Sequence, residues 1–244
     1  MEKSSIEERC AKACSALKAI KAETEALASG REVVILAATK AVDVEIINYL
    51  IDNCGLGYIG ENRVQELLAK YDRLHREKVK LHFIGNLQTN KVKYIIDKVD
   101  MIESVSSLRL AREIERQAER REIKMPVLAE INIGAEDSKH GLLPHEWEEF
   151  WEELVKLPHL IPRGVMTMAP LLACPDDYND YFERTYDIFK ETVSRWLGDI
   201  EKPVLSMGMS SSYRQAVICG STEVRLGSVI FGKRPSRRNA KAAE

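Results

Sequence analysis

A lysine closing an apolar run, a serine-rich turn late in the chain and an arginine beside a glycine are the side chains of these 244 residues best placed to do chemistry. The run Val33-Val34-Ile35-Leu36-Ala37-Ala38 leads through Thr39 to Lys40. Small residues there leave space, and an amine held in a partly dried space is a nucleophile for an aldehyde. Taken alone, Lys40 is an ordinary solvated cation; its company changes that reading. Ser206-Met207-Gly208-Met209-Ser210-Ser211-Ser212 runs from a strand pattern into a short helix, presenting hydroxyls and unpaired N–H groups at a positive helix end. Leu226-Gly227-Ser228 repeats the arrangement after the last apolar run, Gly227 letting the backbone approach closely. Gly-Ser turns are common connectors, but two at neighbouring strand ends make a phosphate cradle, whereas Gly220-Ser221-Thr222 only ends a helix. Arg225 precedes Gly227 by two residues, so alternation points both to one face. If that face is inward, the guanidinium needs an acceptor; if outward, it pairs with a helix carboxylate. Together these groups suit a phosphorylated aldehyde that carries a ring nitrogen.

The elements that must bring them together alternate without a break. A polar amphipathic helix over roughly residues 5–28, closed by Gly30, precedes the first run at 33–38. Asp43 starts the next helix as its N-cap, Val44, Ile47, Leu50 and Ile51 are its buried positions, and Gly55 stops it. Further apolar runs lie at 57–60, 81–85, 100–104, 126–134, 163–168, 203–208 and 223–227. Between them fall helical patterns: one carrying Val64, Leu67, Leu68, Tyr71 and Leu74, one from about Asn90, one capped by Ser106 or Ser107, one around Trp147 and Trp151, and two at about 176–197 and 211–219. Strand-helix alternation of this length predicts an α/β fold, a (β/α)8 TIM barrel with an additional N-terminal helix. An open doubly wound sheet is the rival, weakened because no GxGxxG opens a helix. A single domain is expected over 1–244, with the helix in 1–30 and a basic, frayed tail at 233–244.

Composition narrows the partners. Thirty-six Lys and Arg against 38 Asp and Glu leave a net charge of -2, so no chain-wide field gathers nucleic acid or an anionic membrane. No apolar run approaches the roughly 18 residues of a membrane span, and the start is helix-periodic rather than leader-like, so a cytoplasmic protein is expected. Five cysteines, Cys10, Cys14, Cys54, Cys174 and Cys219, fall without a CxxC pair, a pattern of thiols rather than of disulfides or a zinc site. His145-Glu146 does not complete an HExxH, and no metal is expected.

The molecule that joins aldehyde, phosphate and ring nitrogen is pyridoxal 5'-phosphate (PLP). Ala38-Thr39-Lys40, Gly60-Glu61-Asn62 with Gln65-Glu66, His82-Phe83-Ile84-Gly85, Glu130-Ile131-Asn132, Lys139-His140-Gly141, Arg163-Gly164-Val165-Met166 and the two cradle segments, in that order from about residue 30 to 234, resemble the pyridoxal phosphate homeostasis family of the YggS/PROSC type. The resemblance implies a single (β/α)8 domain similar to the barrel half of alanine racemase. It implies that Lys40 forms the internal Schiff base, that Arg225 faces the pyridine nitrogen, that Ser210, Gly227 and Ser228 hold the phosphate and that Asn62 and Met166 line the ring pocket. His82 serves either that pocket or packing. Some relatives carry a second lysine two residues after the first; here Ala41-Val42 follows, leaving Lys139 as the candidate for a cofactor-exchange amine.

Three readings remain open at this level. Guanidinium carries donors only, so Arg225 obliges the ring nitrogen to be an acceptor and weakens the ring as an electron sink. With little sequence after the last strand for a second catalytic domain, a monomeric protein that captures PLP, buffers it and passes it to apoenzymes is the preferred reading. An amino acid racemase, with Tyr58 or Tyr213 as second base, is the alternative, and a Schiff-base aldolase acting on a sugar phosphate is the third.

Overall fold

The computed structural model describes residues 5–136, 139–170, 172, 174 and 177–232. Its eight strands are β1 (Val34–Ala38), β2 (Tyr58–Glu61), β3 (Lys80–Phe83), β4 (Met101–Val105), β5 (Met125–Ile131), β6 (Leu160–Thr167), β7 (Val204–Ser206) and β8 (Glu223–Leu226). They pair in parallel and in chain order, and β8 closes on β1 through Leu36↔Arg225 and its neighbours, so the sheet is a closed barrel rather than the open rival. The helices are α1 (Ile6–Leu27), α2 (Val44–Cys54), α3 (Val64–Tyr71), α4 (Val92–Ile95), α5 (Leu108–Glu119), α6 (Trp147–Leu154), α7 (Tyr178–Trp196), α8 (Tyr213–Ile218) and α9 (Ser228–Phe231). The proposed tail at 233–244 lies outside the described residues.

Local chemistry explains most element ends. Ser5 and Ser107 cap α1 and α5 by accepting from the N–H groups of Glu8 and Leu110. Gly55 ends α2 in the left-handed conformation that favours glycine. Asp43 occupies the N-cap position of α2 but makes no side-chain cap bond; its carboxylate takes Arg9 of α1 at 2.6 Å instead. The four expected core positions of α2 are buried, as are Val64 and Leu67 of α3, while Leu68 is exposed because α3 turns that face to solvent.

Two apolar compartments result. The larger packs the helices on the outer strand faces, with Ile47, Leu67, Ile114, Trp151, Phe182 and Val217 among its members. Leu36, Leu128 and Met166 are fully buried yet stand apart from that cluster, inside the barrel.

The cysteine expectation is corrected here. Cys14 of α1 is joined to Cys54, the last residue of α2, across a sequence separation of 40, and Cys10, Cys174 and Cys219 are free. Spacing alone gave no sign of the pair, because it exists only once α1 packs along α2. Lys21 of α1 reinforces the junction by donating to the carbonyls of Cys54 and Gly55 at 3.3 and 2.7 Å, satisfying two orphan acceptors of the helix end. Thiol titration of the denatured but unreduced protein is therefore expected to count three cysteines, and Cys14→Ser to cost the oxidised protein at most roughly 4 kcal/mol, the loop-closure contribution for such a separation. Five reactive thiols would show that the link does not form.

Candidate functional site

The carboxyl ends of the strands open onto a cavity of about 630 Å³, lined by Ala38, Lys40, Asn62, Ile84, Met168, Met209, Ser210, Ser211, Arg225, Gly227 and Ser228. Barrels of this kind carry their chemistry on that face, and the volume lies within the range of small-molecule sites. Six of the sequence-selected residues meet there: Lys40, Asn62, Ser210, Arg225, Gly227 and Ser228. Met166 does not line it. It is fully buried inside the barrel at the level of Ser206, with which it pairs, and Met168 two residues further on reaches the cavity wall.

Lys40 stands on a turn that α3 grips from both sides. Thr39 donates its N–H to the Gly60 carbonyl at 2.9 Å and its hydroxyl to Glu61 Oε1 at 2.8 Å. Lys70 Nζ donates to the Thr39 carbonyl at 2.8 Å and to Glu61 Oε1 at 2.7 Å. Ala41, the residue after Lys40, adopts φ 56°, and its N–H donates to Glu66 Oε2 at 2.9 Å. A non-glycine residue in that region costs roughly 1–2 kcal/mol, offset here by a partner one helical turn from Lys70. Asn62 is set by close packing of the next strand: a Cβ on Gly85 would lie 2.1 Å from the Asn62 carbonyl oxygen, so only glycine admits this approach.

Across the mouth, the two segments chosen as a cradle converge. Ser210 Oγ accepts from the N–H groups of Gly227 and Val229 at 3.1 and 3.4 Å, joining the β7 loop to the start of α9. Arg225 points inward and is nearly fully buried, which settles the alternative of an outward pair. It donates to Ser206 Oγ and to the Thr167 carbonyl, both at 2.7 Å.

Beneath Arg225 lies a polar cluster that sequence reasoning did not anticipate. His82 Nδ1 lies 2.7 Å from Glu103 Oε1 and 3.7 Å from Glu223 Oε2, and Ser206 Oγ lies 2.7 Å from Glu103 and 2.8 Å from Glu223. Burial opposes charge on both His82 and Glu103, but their mutual hydrogen bond, with the field of Arg225 on Glu103, raises the imidazole pKa and lowers the carboxyl one. Burial, and next to it the Glu103 charge, push Glu223 up to about 8. Glu130, a fourth buried group, is pushed by burial up to about 7 despite the Arg225 charge. The ligand-capable atoms of His82, Glu103 and Glu223 lie within 4.8 Å of one another; the His82–Glu103 contact and the contacts of both carboxyls with Ser206 are hydrogen-bond lengths, which shared protons explain. The signal available in the sequence was a charge at an inward strand position, as in Met101-Ile102-Glu103-Ser104-Val105.

Other candidates fall elsewhere. His82 belongs to the interior cluster rather than to the cavity wall. Lys139 Nζ is occupied by the Ala169 carbonyl at 3.0 Å and Glu136 at 3.1 Å. Tyr58 begins β2, at the opposite end from the mouth, its ring nearly perpendicular to that of His82 at 5.7 Å between centroids. Tyr213 donates to Glu23 of α1, and burial together with that bond pushes its phenol up to about 12; neither tyrosine reaches the cavity.

Barrel and site together define a class, and comparison with known proteins gives the same one. Residues 15–235 match the family model described as alanine racemase, N-terminal domain. Among solved structures, alanine racemase of Clostridium difficile shares the fold at TM-score 0.68 and 19% identity, covering 91% of this chain and 58% of the racemase. Two relatives nearer in sequence share one name. The pyridoxal phosphate homeostasis protein of Aquifex aeolicus is 41% identical over 200 residues, 82% of this chain and 86% of that protein. Its counterpart in Schizosaccharomyces pombe is 33% identical over 227 residues, 92% and 94% of the two chains. PipY of Synechococcus elongatus, solved with PLP bound, superposes at TM-score 0.78 with 26% identity, covering 90% of this chain and all of PipY. The chain belongs to the pyridoxal phosphate homeostasis protein family.

Two outcomes follow from the geometry. Lys70→Met leaves Glu61 buried without its cation, and is expected to cost roughly 3 kcal/mol in urea unfolding; the Glu61→Gln/Lys70→Met pair should cost less than the sum of the singles, and strict additivity would deny the contact. Glu130 keeps its proton in the folded chain up to about pH 7. Its contribution to stability is thus present below the ordinary carboxyl pKa and lost as pH rises through about 7. Thermal melting of Glu130→Gln between pH 5 and 8 should accordingly show a shallower loss than the parent; parallel curves would contradict it.

Proposed function

We propose that this protein binds PLP in the barrel mouth as a Schiff base on Lys40 and acts in intracellular PLP homeostasis, holding the reactive aldehyde and releasing it to apoenzymes without strong catalysis of its own. The observation that carries the reading is the convergence of an amine, a phosphate-sized set of N–H and hydroxyl groups and an inward guanidinium on one cavity.

The residues present fit the cofactor. The hydroxyls of Ser210 and Ser228 beside Gly227 form a donor set at one side of the mouth, the Ser210 oxygen being held by the Gly227 and Val229 N–H groups so that its hydrogen is left to give, which suits a phosphate dianion. Among the described residues, no carboxylate lines the cavity. Arg225 has two of its five N–H groups committed to Ser206 and Thr167 and faces the cavity with the rest. Asn62, Ile84 and Met168 provide the mixed polar and apolar wall that a flat ring needs.

When bound, PLP supplies an electrophilic aldehyde carbon. Lys40 Nζ is the nucleophile of this cavity; its two amine hydrogens leave with the aldehyde oxygen as water, and the reverse reaction releases the cofactor. The turn held by Glu66 and Lys70 aims that amine. Arg225 donates a hydrogen bond at the ring nitrogen and cannot accept one, which keeps that nitrogen unprotonated and disfavours carbanion chemistry. Neither Tyr58 nor Tyr213 lines the cavity to serve as a second base. Release to apoenzymes, a monomeric state and a cytoplasmic location belong to the same proposal; among the described residues no helix is long and apolar enough to cross a membrane.

Addition of PLP is expected to produce a visible absorbance band that borohydride reduction fixes on Lys40. Lys40→Ala should abolish the band, and Ser210→Ala should weaken binding by about tenfold or more, the loss of one charge-assisted hydrogen bond. A band unaffected by Lys40→Ala would overturn the proposal, and rapid isomerisation of an added amino acid would replace it with a racemase.

A further inference from the structure

The hydrogen bonds around Ser206 do not balance unless one neighbouring carboxyl carries a proton. Ser206 Oγ has a single hydrogen and two lone pairs. Arg225 Nη1, which can only donate, takes one lone pair at 2.7 Å. The hydroxyl then faces two buried carboxyls, Glu103 Oε2 at 2.7 Å and Glu223 Oε1 at 2.8 Å, with one hydrogen to give and one lone pair left. Both distances are satisfied only if one carboxyl accepts and the other donates. Glu103 is the acceptor, since its other oxygen takes the His82 Nδ1–H at 2.7 Å and two cations face it. Glu223 has weaker support, its approach to His82 being 3.7 Å, beyond hydrogen-bond length.

We propose that Glu223 is a positioning residue that remains protonated in the folded protein at neutral pH, donating to Ser206 and thereby holding the Ser206 lone pair that orients Arg225 toward the cavity. The inference deepens the PLP reading and rests on it for its effect on the ligand, but the proton itself does not depend on it. Loss of that proton would set two carboxylates against one hydroxyl, break one of its contacts and draw the guanidinium down into the barrel, away from the ring. The groups acting on Glu223 are His82 on β3 and Glu103 on β4; Arg225 on its own strand meets it through Ser206, Glu130 on β5 lies within the field of Arg225, and Tyr58 of β2 packs against His82. β1 and β7 carry no titratable side chain, and Arg163 of β6 turns outward to the Lys202 carbonyl. The upward displacement of the Glu223 pKa to about 8 agrees with the donor role assigned by geometry.

Glutamine mimics the donor form of Glu223, so Glu223→Gln is expected to fold and bind PLP at pH 7 about as the parent does, whereas Glu223→Ala and Ser206→Ala lose affinity. In the parent, affinity should fall as pH rises past about 8, by up to about tenfold per unit, the limit for release of one proton. In Glu223→Gln that fall should be absent, PLP's own ionisations being common to both proteins. Infrared difference spectra of the ligand-free protein at pH 7 should contain the carbonyl stretch of a buried neutral carboxyl that Glu223→Gln removes. Absence of that band, or superimposable pH profiles, would overturn the inference. A band lost in Glu223→Gln in a protein that takes up no PLP would instead sustain the proton and sink the PLP reading.

Discussion

A guanidinium buried inside a closed barrel governs this molecule. Arg225 sits where water cannot solvate it, so its charge must be met by acceptors that the barrel itself supplies. Ser206 and the Thr167 carbonyl meet it directly, Glu103 and Glu130 lie within its field from β4 and β5, and Glu223 and His82 join the network through Ser206 and Glu103. Removing water from so many ionisable groups is costly, and the interior tolerates it by placing protons rather than by accumulating charge. The floor of the cavity is therefore a hydrogen-bonded network, while the packing that holds the fold together lies outside the strands.

That division separates stability from function. Helix-facing side chains form one continuous apolar layer in which a substitution is felt mainly as lost packing. Inside the barrel, the fully buried Leu36, Leu128 and Met166 share space with the polar cluster, so a change there alters which groups are charged as well as how well they pack. The mouth above draws on both. Lys40 depends on a buried Lys70–Glu61 pair and on an α3 carboxylate, and the opposite wall depends on a serine shared between two backbone N–H groups. Each half is tied by hydrogen bonds between separate elements, which preorganises the mouth as a small-molecule site.

The N-terminal helix has a different role. α1 covers α2 and α8, linked by Cys14–Cys54, Arg9–Asp43, the Lys21 cap and the Glu23 bonds to Tyr213 and Arg214. The anchored positions include the turn after Lys40 and the helix after the β7 loop, so a helix outside the barrel braces both walls of the mouth.

Local rules were enough to read most of the architecture. Alternating apolar runs and helix periods disclosed the barrel, Gly55 and Ser107 marked helix ends through conformational and capping preferences that act within a few residues, and Lys40, Ser210, Arg225, Gly227 and Ser228 stood out because strand ends and small-residue turns have known places in such a barrel. Height within the barrel was not legible: Met166 and Met168 share a face, and only closure with its particular register decides which one reaches the mouth. The Cys14–Cys54 link, the Lys70 grip on Thr39 and the protonation of Glu223 were equally hidden, since each joins segments far apart in the chain. Sequence by itself determined which elements form and which side chains are chemically apt. Tertiary structure alone decided which of them share a proton, a bond or a cavity, because those properties depend on distances of a few ångströms between strands that nothing local specifies.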